Sequence, residues 1–168
     1  MLSILLSFLI PFFVGSGCDD CGPIDSLYKV ELKKLYKPGI PTVSIQEYLQ
    51  MNADSVFVLD AREQQEYQVS HLRYARNTGF IWFDMRDIYD IPKNRVVVVY
   101  SAIGDRSQRI AEMLIRAGYK KVYNLYGGIF EWINQGYPVY TKQDVQTSQI
   151  HIYKKDLSIW LKRGTKVQ

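Results

Sequence analysis

An α/β fold, with a mainly parallel central sheet and helices on both faces, follows from three features of this 168-residue chain. Residues 55–59 (Ser-Val-Phe-Val-Leu) and 95–100 (Arg-Val-Val-Val-Val-Tyr) are continuous apolar runs of strand length, as expected for strands buried on both faces. Segments of helical periodicity alternate with such runs, and short strand–helix–strand units pair in parallel with right-handed crossovers. Finally, 47% hydrophobic and 23% charged residues suffice for one packed core and exclude wholesale disorder.

The elements follow in order. Residues 18–41 read as a mixed tether with a short strand at 28–32, broken by Pro38-Gly39-Ile40-Pro41. Thr42-Val43 is a short strand, and Ser44-Ile45-Gln46-Glu47 has capping-box form, opening a helix with Ile45, Tyr48 and Leu49 on one face. The two strong runs come next, and Lys121–Leu125 is a third strand. Residues 106–117 place Ile110, Met113, Leu114 and Ala117 at one-face spacing, with Gly118 suited to the C′ position. Residues 128–135 group Ile129, Trp132 and Ile133 before Gly136 and Pro138. The domain so defined spans 42–140.

The N-terminus reads as an address. Residues 2–14 are an apolar run, too short for the ~20 residues of a membrane span but suited to the core of a secretory signal. Gly15-Ser16-Gly17 before Cys18 resembles the recognition box of bacterial lipoproteins, which implies cleavage after residue 17, lipidation of Cys18 and an exported, envelope-anchored chain. Cys18 and Cys21 are the only cysteines, which excludes a disulfide framework for the domain and a four-thiolate zinc site. Read instead as a redox pair, they lack the following helix that lowers a reactive thiol's pKa.

The net charge of +4 is local, since residues 141–168 hold six basic and two acidic side chains while the rest balances. A basic tail, rather than a basic fold, argues against a nucleic-acid-binding domain. Asp156 suits the cap of a short helix with Leu157, Trp160 and Leu161 on one side, and Trp160 is expected to dock on the domain. The competing expectation is contact with anionic lipid or a partner.

The site is expected where the second strong strand ends, at Ser101-Ala102-Ile103-Gly104-Asp105-Arg106-Ser107. In open α/β sheets ligands bind past the carboxyl ends of strands, and a tight loop entering a helix turns its N–H groups into an anion cradle. Arg106 is expected to add a full positive charge there.

This loop resembles the Cys-x-x-x-x-Arg loop of the rhodanese-like family, with Ser101 at the cysteine position. Three further elements match in order. Asp60-Ala61-Arg62-Glu63-Gln64-Gln65-Glu66-Tyr67 resembles Asp-x-Arg-x-x-x-Glu-Tyr/Phe. Ser70-His71-Leu72-Arg73-Tyr74-Ala75-Arg76-Asn77 resembles Gly-His-Ile-x-Gly-Ala-x-Asn, with Ser70 and Tyr74 replacing glycines. Leu125-Tyr126-Gly127-Gly128-Ile129-Phe130-Glu131-Trp132 resembles Leu-x-Gly-Gly-x-x-x-Trp. The resemblance implies a rhodanese-like three-layer fold. The six residues from Ser101 to Arg106 match the family's sulfur-handling branch, whereas its phosphatase relatives have seven.

Sulfur transfer needs a thiolate that carries a persulfide, which a serine hydroxyl without a base cannot replace. The expected function is therefore a catalytically inactive module that binds a small oxyanion, a sulfur species or a partner protein, with no cofactor and no metal. The alternatives are sulfur transfer through an external thiol (Cys21 or a partner's cysteine) and a structural envelope lipoprotein with a vestigial loop. Asp60 and Arg62 are expected to pair in support, His71 to make structural hydrogen bonds, and Trp82 and Phe83 to roof the site or be buried.

Overall fold

The computed structural model describes residues 24–168. Its centre is a five-stranded parallel sheet of order β1-β5-β4-β2-β3, formed by Thr42–Val43 (β1), Val56–Asp60 (β2), Arg76–Asn77 (β3), Val96–Tyr100 (β4) and Lys121–Leu125 (β5). Val96–Val99 pair with Lys121–Asn124 on one side, and the whole of β4 pairs with β2 on the other. Central strands need apolar side chains on both faces, which is why the valine run sits here. Val97 and Val99 join Leu59 and Val122 on one face, and Val98 and Tyr100 join Val58 on the other.

Helices cover both faces. Asp105–Arg116 (α4) packs Ile110, Ala111 and Leu114 on the first face. It ends in a Schellman motif: the N–H of Gly118 (φ +93°) donates to Ile115, and that of Tyr119 to Leu114. Met113, expected on the buried face, is 45% exposed, because the stripe that meets the sheet runs through Ser107, Ile110, Ala111 and Leu114. Ile45–Leu49 (α2) and Gly128–Asn134 (α5) lie on the other face, α2 with the capping box intact. Gln64–Val69 (α3) follows β2.

The expected strand at 28–32 is instead part of an α-helix, Ser26–Leu35 (α1). Asp25 caps it by accepting from the N–H groups of Leu27 and Tyr28, and Tyr28 and Leu32, one turn apart, are fully buried on the second face. This part of the presumed tether is a docked helix. Beyond the domain, Val139–Tyr140 (β6) pairs antiparallel with Gln146–Thr147 (β7), and Gln149–His151 (β8) pairs in parallel with Thr165–Val167 (β9). The tail helix expected to be capped by Asp156 is a 3-10 turn, Lys155–Trp160, which opens two residues earlier with Lys154 at the cap position. Trp160 docks by stacking on Tyr28, ring centres 5.2 Å apart. Among the described residues no helix is long and apolar enough to cross a membrane.

Candidate functional site

The chain leaves β4 at Ser101 and enters α4 after only Ala102, Ile103 and Gly104, the last at φ +93°. All four are buried, with Ser101 only 1% exposed. The Ser101 hydroxyl oxygen accepts the N–H of Gly104 at 3.1 Å and that of Ser107 at 3.5 Å, so the serine itself fills the cradle. Ser107 Oγ lies 3.2 Å from it and points its single proton at Asn124 Oδ1, 2.7 Å away. The Ser101 proton is then left to donate to Ser107 Oγ. Asn124 closes the circuit by donating to the Gly104 carbonyl at 3.1 Å. A carboxamide accepts hydrogen bonds but takes no proton at neutral pH, so nothing in this relay acts as a general base.

Arg106 has a different environment from the one expected. Its guanidinium donates to both Glu66 oxygens, at 2.6 and 2.7 Å, and both side chains are buried. The charge expected for the cradle is compensated from α3, forty residues away. The ring of Tyr153 covers the guanidinium, 3.8 Å from ring centre to carbon. A pocket of about 240 Å3 remains over the loop, floored by Ser101, Ala102 and Ile103 and walled by Leu35 and Leu157. Glu31, Asp105 and Asp156 line it against Lys154. Glu31 and Asp105 are themselves paired, with Lys34 at 3.3 Å and Arg109 at 3.9 Å, so with Arg106 matched by Glu66 the lining carries little net charge of either sign.

Both extensions close over the loop. Tyr36, directly after α1, donates from its phenol to the Ile103 carbonyl at 2.8 Å and accepts the N–H of Gly127 at 3.0 Å. Burial pushes this phenol well above its usual pKa, so it stays a donor. Tyr28 donates to the Gly127 carbonyl at 2.8 Å. Gln108 on α4 ties down the end of α1, donating to Leu35 O at 2.9 Å and accepting from Lys37 N–H at 2.8 Å. Gly128 (φ +60°) lets the start of α5 approach closely: a Cβ there would lie 2.3 Å from the Ser101 carbonyl. The N–H groups of Ile129 and Phe130 use that approach to bond the Ser101 and Ala102 carbonyls, at 2.9 and 3.1 Å.

The supporting residues lie deeper. Asp60 and Arg62 pair at 2.7 Å, both fully buried. Tyr100 donates to Asp60 at 2.6 Å, and Arg62 donates to the Ser70 carbonyl at 2.6 Å. Burial opposes the charge of Arg62, but Asp60 outweighs it and holds the guanidinium protonated. His71 stacks on Tyr67 and places Nδ1 3.0 Å from the Tyr67 carbonyl, while its backbone bridges to Tyr140. Trp82 does not roof the site: it is 87% exposed, while Phe83 packs partly into the core against α4. Cys18, Cys21 and the apolar run lie outside the described residues.

Glu66, Asn124, Tyr36 and Tyr153 were not expected at the loop. Glu66 had a signal, its place in the Asp-x-Arg-x-x-x-Glu element, whereas the two tyrosines come from outside the 42–140 span.

Three likenesses bear on this geometry. A tRNA uridine(34) hydroxylase of Aster yellows witches'-broom phytoplasma is 29% identical over 68% of this chain and 38% of its own length. A sulfurtransferase of Allochromatium vinosum is 44% identical over 30% of this chain and 47% of its own. This chain thus spans less than half the length of either relative. The crystal structure of a rhodanese-related protein from Thermoplasma volcanium superposes with a TM-score of 0.53 at 26% identity, covering 61% of this chain and 99% of that one. The family model described as "Rhodanese-like domain" matches residues 44–135, just inside the 42–140 span expected for the domain. With that match over more than half its length, on a parallel sheet whose β4 leads into a tight loop and helix, the chain belongs to the rhodanese-like domain family.

Proposed function

We propose that this chain is a non-catalytic rhodanese-like domain that binds a partner rather than transferring sulfur. One observation carries the reading: the loop N–H groups converge on the hydroxyl of Ser101, and the side chains linked to it, Ser107 and Asn124, hold no base. An oxygen so placed is neither ionised nor able to carry a transferable sulfur. The compensation of Arg106 by Glu66 leaves no unmatched charge at the loop for a free oxyanion and favours a partner group as occupant. Lipidation at Cys18 and a place in a bacterial envelope belong to the same proposal, resting on residues 2–18 alone.

The test is thiosulfate-to-cyanide transfer by the full chain, beside Ser101→Cys and Ser101→Cys/Cys21→Ser. The wild type is expected to stay at background. Both variants are expected to load sulfur from thiosulfate, because the N–H groups of Gly104 and Ser107 would hold a thiolate below the usual ~8.5. Wild-type turnover matching that of the variants would end the non-catalytic reading, and its loss in Cys21→Ser alone would move the chemistry to Cys21.

A further inference from the structure

α1 and a C-terminal strap, residues 149–168, both lie outside the expected domain and the family-matched span, and together they expose basic and aliphatic side chains. Trp160 stacks on Tyr28, and Glu31 and Leu35 of α1 share a pocket with Lys154, Asp156 and Leu157 of the strap, so the two segments adjoin. With Tyr28 and Leu32 turned inward, α1 exposes Leu27 (69%) and Val30 (53%) beside Lys29, Lys33 and Lys34. The strap exposes Ile159 (57%) beside Lys154, Lys155, Lys162, Arg163 and Lys166. Eight basic side chains meet three acidic ones here (Asp25, Glu31 and Asp156), an excess of five against a net +4 for the whole chain. All other residues together are therefore slightly acidic, and the positive field belongs to this face.

We infer that this face docks on an anionic lipid surface, its aliphatic side chains entering the headgroup boundary and its lysines meeting lipid phosphates. The composition selects this occupant. Leu27, Val30 and Ile159 are aliphatic, and the exposed ring of the strap, Tyr153, already covers Arg106, whereas aliphatic residues among lysines suit a bilayer boundary. Seven of the eight cations are lysines, which meet phosphate as point charges rather than through a planar fork. Only residues 19–25 separate Cys18 from α1, so a bilayer that takes the lipid proposed at Cys18 lies within reach of this face. The inference does not rest on the chemistry of Ser101.

The experiment holds the full chain on vesicles of phosphatidylcholine alone and of phosphatidylcholine with phosphatidylglycerol, and acetylates lysines briefly for mass spectrometry. On anionic vesicles, labelling at Lys29, Lys33, Lys155 and Lys162 is expected to slow by roughly tenfold and to recover in high salt. Lys93, Lys120 and Lys121, at the opposite end of the sheet, serve as internal controls and should keep their rates. In a Lys33→Glu/Lys34→Glu/Lys155→Glu/Lys162→Glu variant, all at exposed positions, the remaining Lys29 and Lys166 should lose their protection. Equal protection on neutral vesicles, equal slowing of the control lysines, or protection by an RNA oligomer and not by anionic vesicles would each overturn it.

Discussion

At Arg106 and Glu66 the residue type is dictated by the partner. Two buried opposite charges that donate and accept in parallel repay their desolvation only as a pair. Removing one partner leaves a charge stranded beside the Ser101 loop. Glu66→Gln is expected to cost about 3–5 kcal/mol in urea unfolding. Glu66→Gln/Arg106→Met should recover much of that loss, whereas a double variant as unstable as the single one would show that the pair is not the unit. Ser101 has the opposite character: its partners are backbone groups and Ser107, so the cradle's shape does not depend on its being serine.

Among the elements, α1 carries the most consequence for the site. It buries Tyr28 and Leu32 and delivers Tyr36 to the loop. Leu32→Ala is expected to cost about 2–5 kcal/mol, the range for a buried leucine whose neighbours only partly collapse into the gap. A cost within the ~0.5 kcal/mol of a surface substitution would mean that α1 is not part of the cooperative unit. The sequence concealed this helix because Tyr28, Val30 and Leu32 alternate as a strand would, while Tyr28 and Leu32 also stand one helical turn apart. What decides between the periods is burial against the far end of the chain, where Trp160 meets Tyr28. The central strands were legible because an unbroken valine run has few other homes than the middle of a parallel sheet. The Arg106–Glu66 pair and the Tyr36 bridge were not, since each joins residues at least forty apart whose local patterns say nothing of each other.

Across the whole molecule the strap and domain share an electrostatic centre at His151. Its ring lies near Glu66, Arg62 and Arg106, and its Nδ1 accepts the N–H of Tyr153 at 3.0 Å, which requires a neutral imidazole. Burial first, with help from Arg62 and Arg106 and against Glu66, sets its pKa below the usual 6.5. Just below 6.5 the unfolded chain then binds the proton that the folded chain refuses. This contribution to stability is intact above that value and shrinks as pH falls toward the depressed folded pKa. Urea midpoints measured from about pH 8 to about pH 5 should decline less steeply in His151→Gln than in the wild type. Parallel curves would remove His151 from the balance.

The hydroxyl of Tyr36 has a consequence in time as well as in space. It occupies the position that any side chain at residue 104 would need, 1.9 Å from where a Cβ would sit, and it fastens Ile103 to Gly127. The spacing from Ser101 to Arg106 is thus policed by a residue outside the family-matched span. A side chain introduced at Gly104 would meet that phenol directly. Replacement of Gly104 therefore has an enforced order, in which Tyr36 lets go before a side chain can enter the loop there.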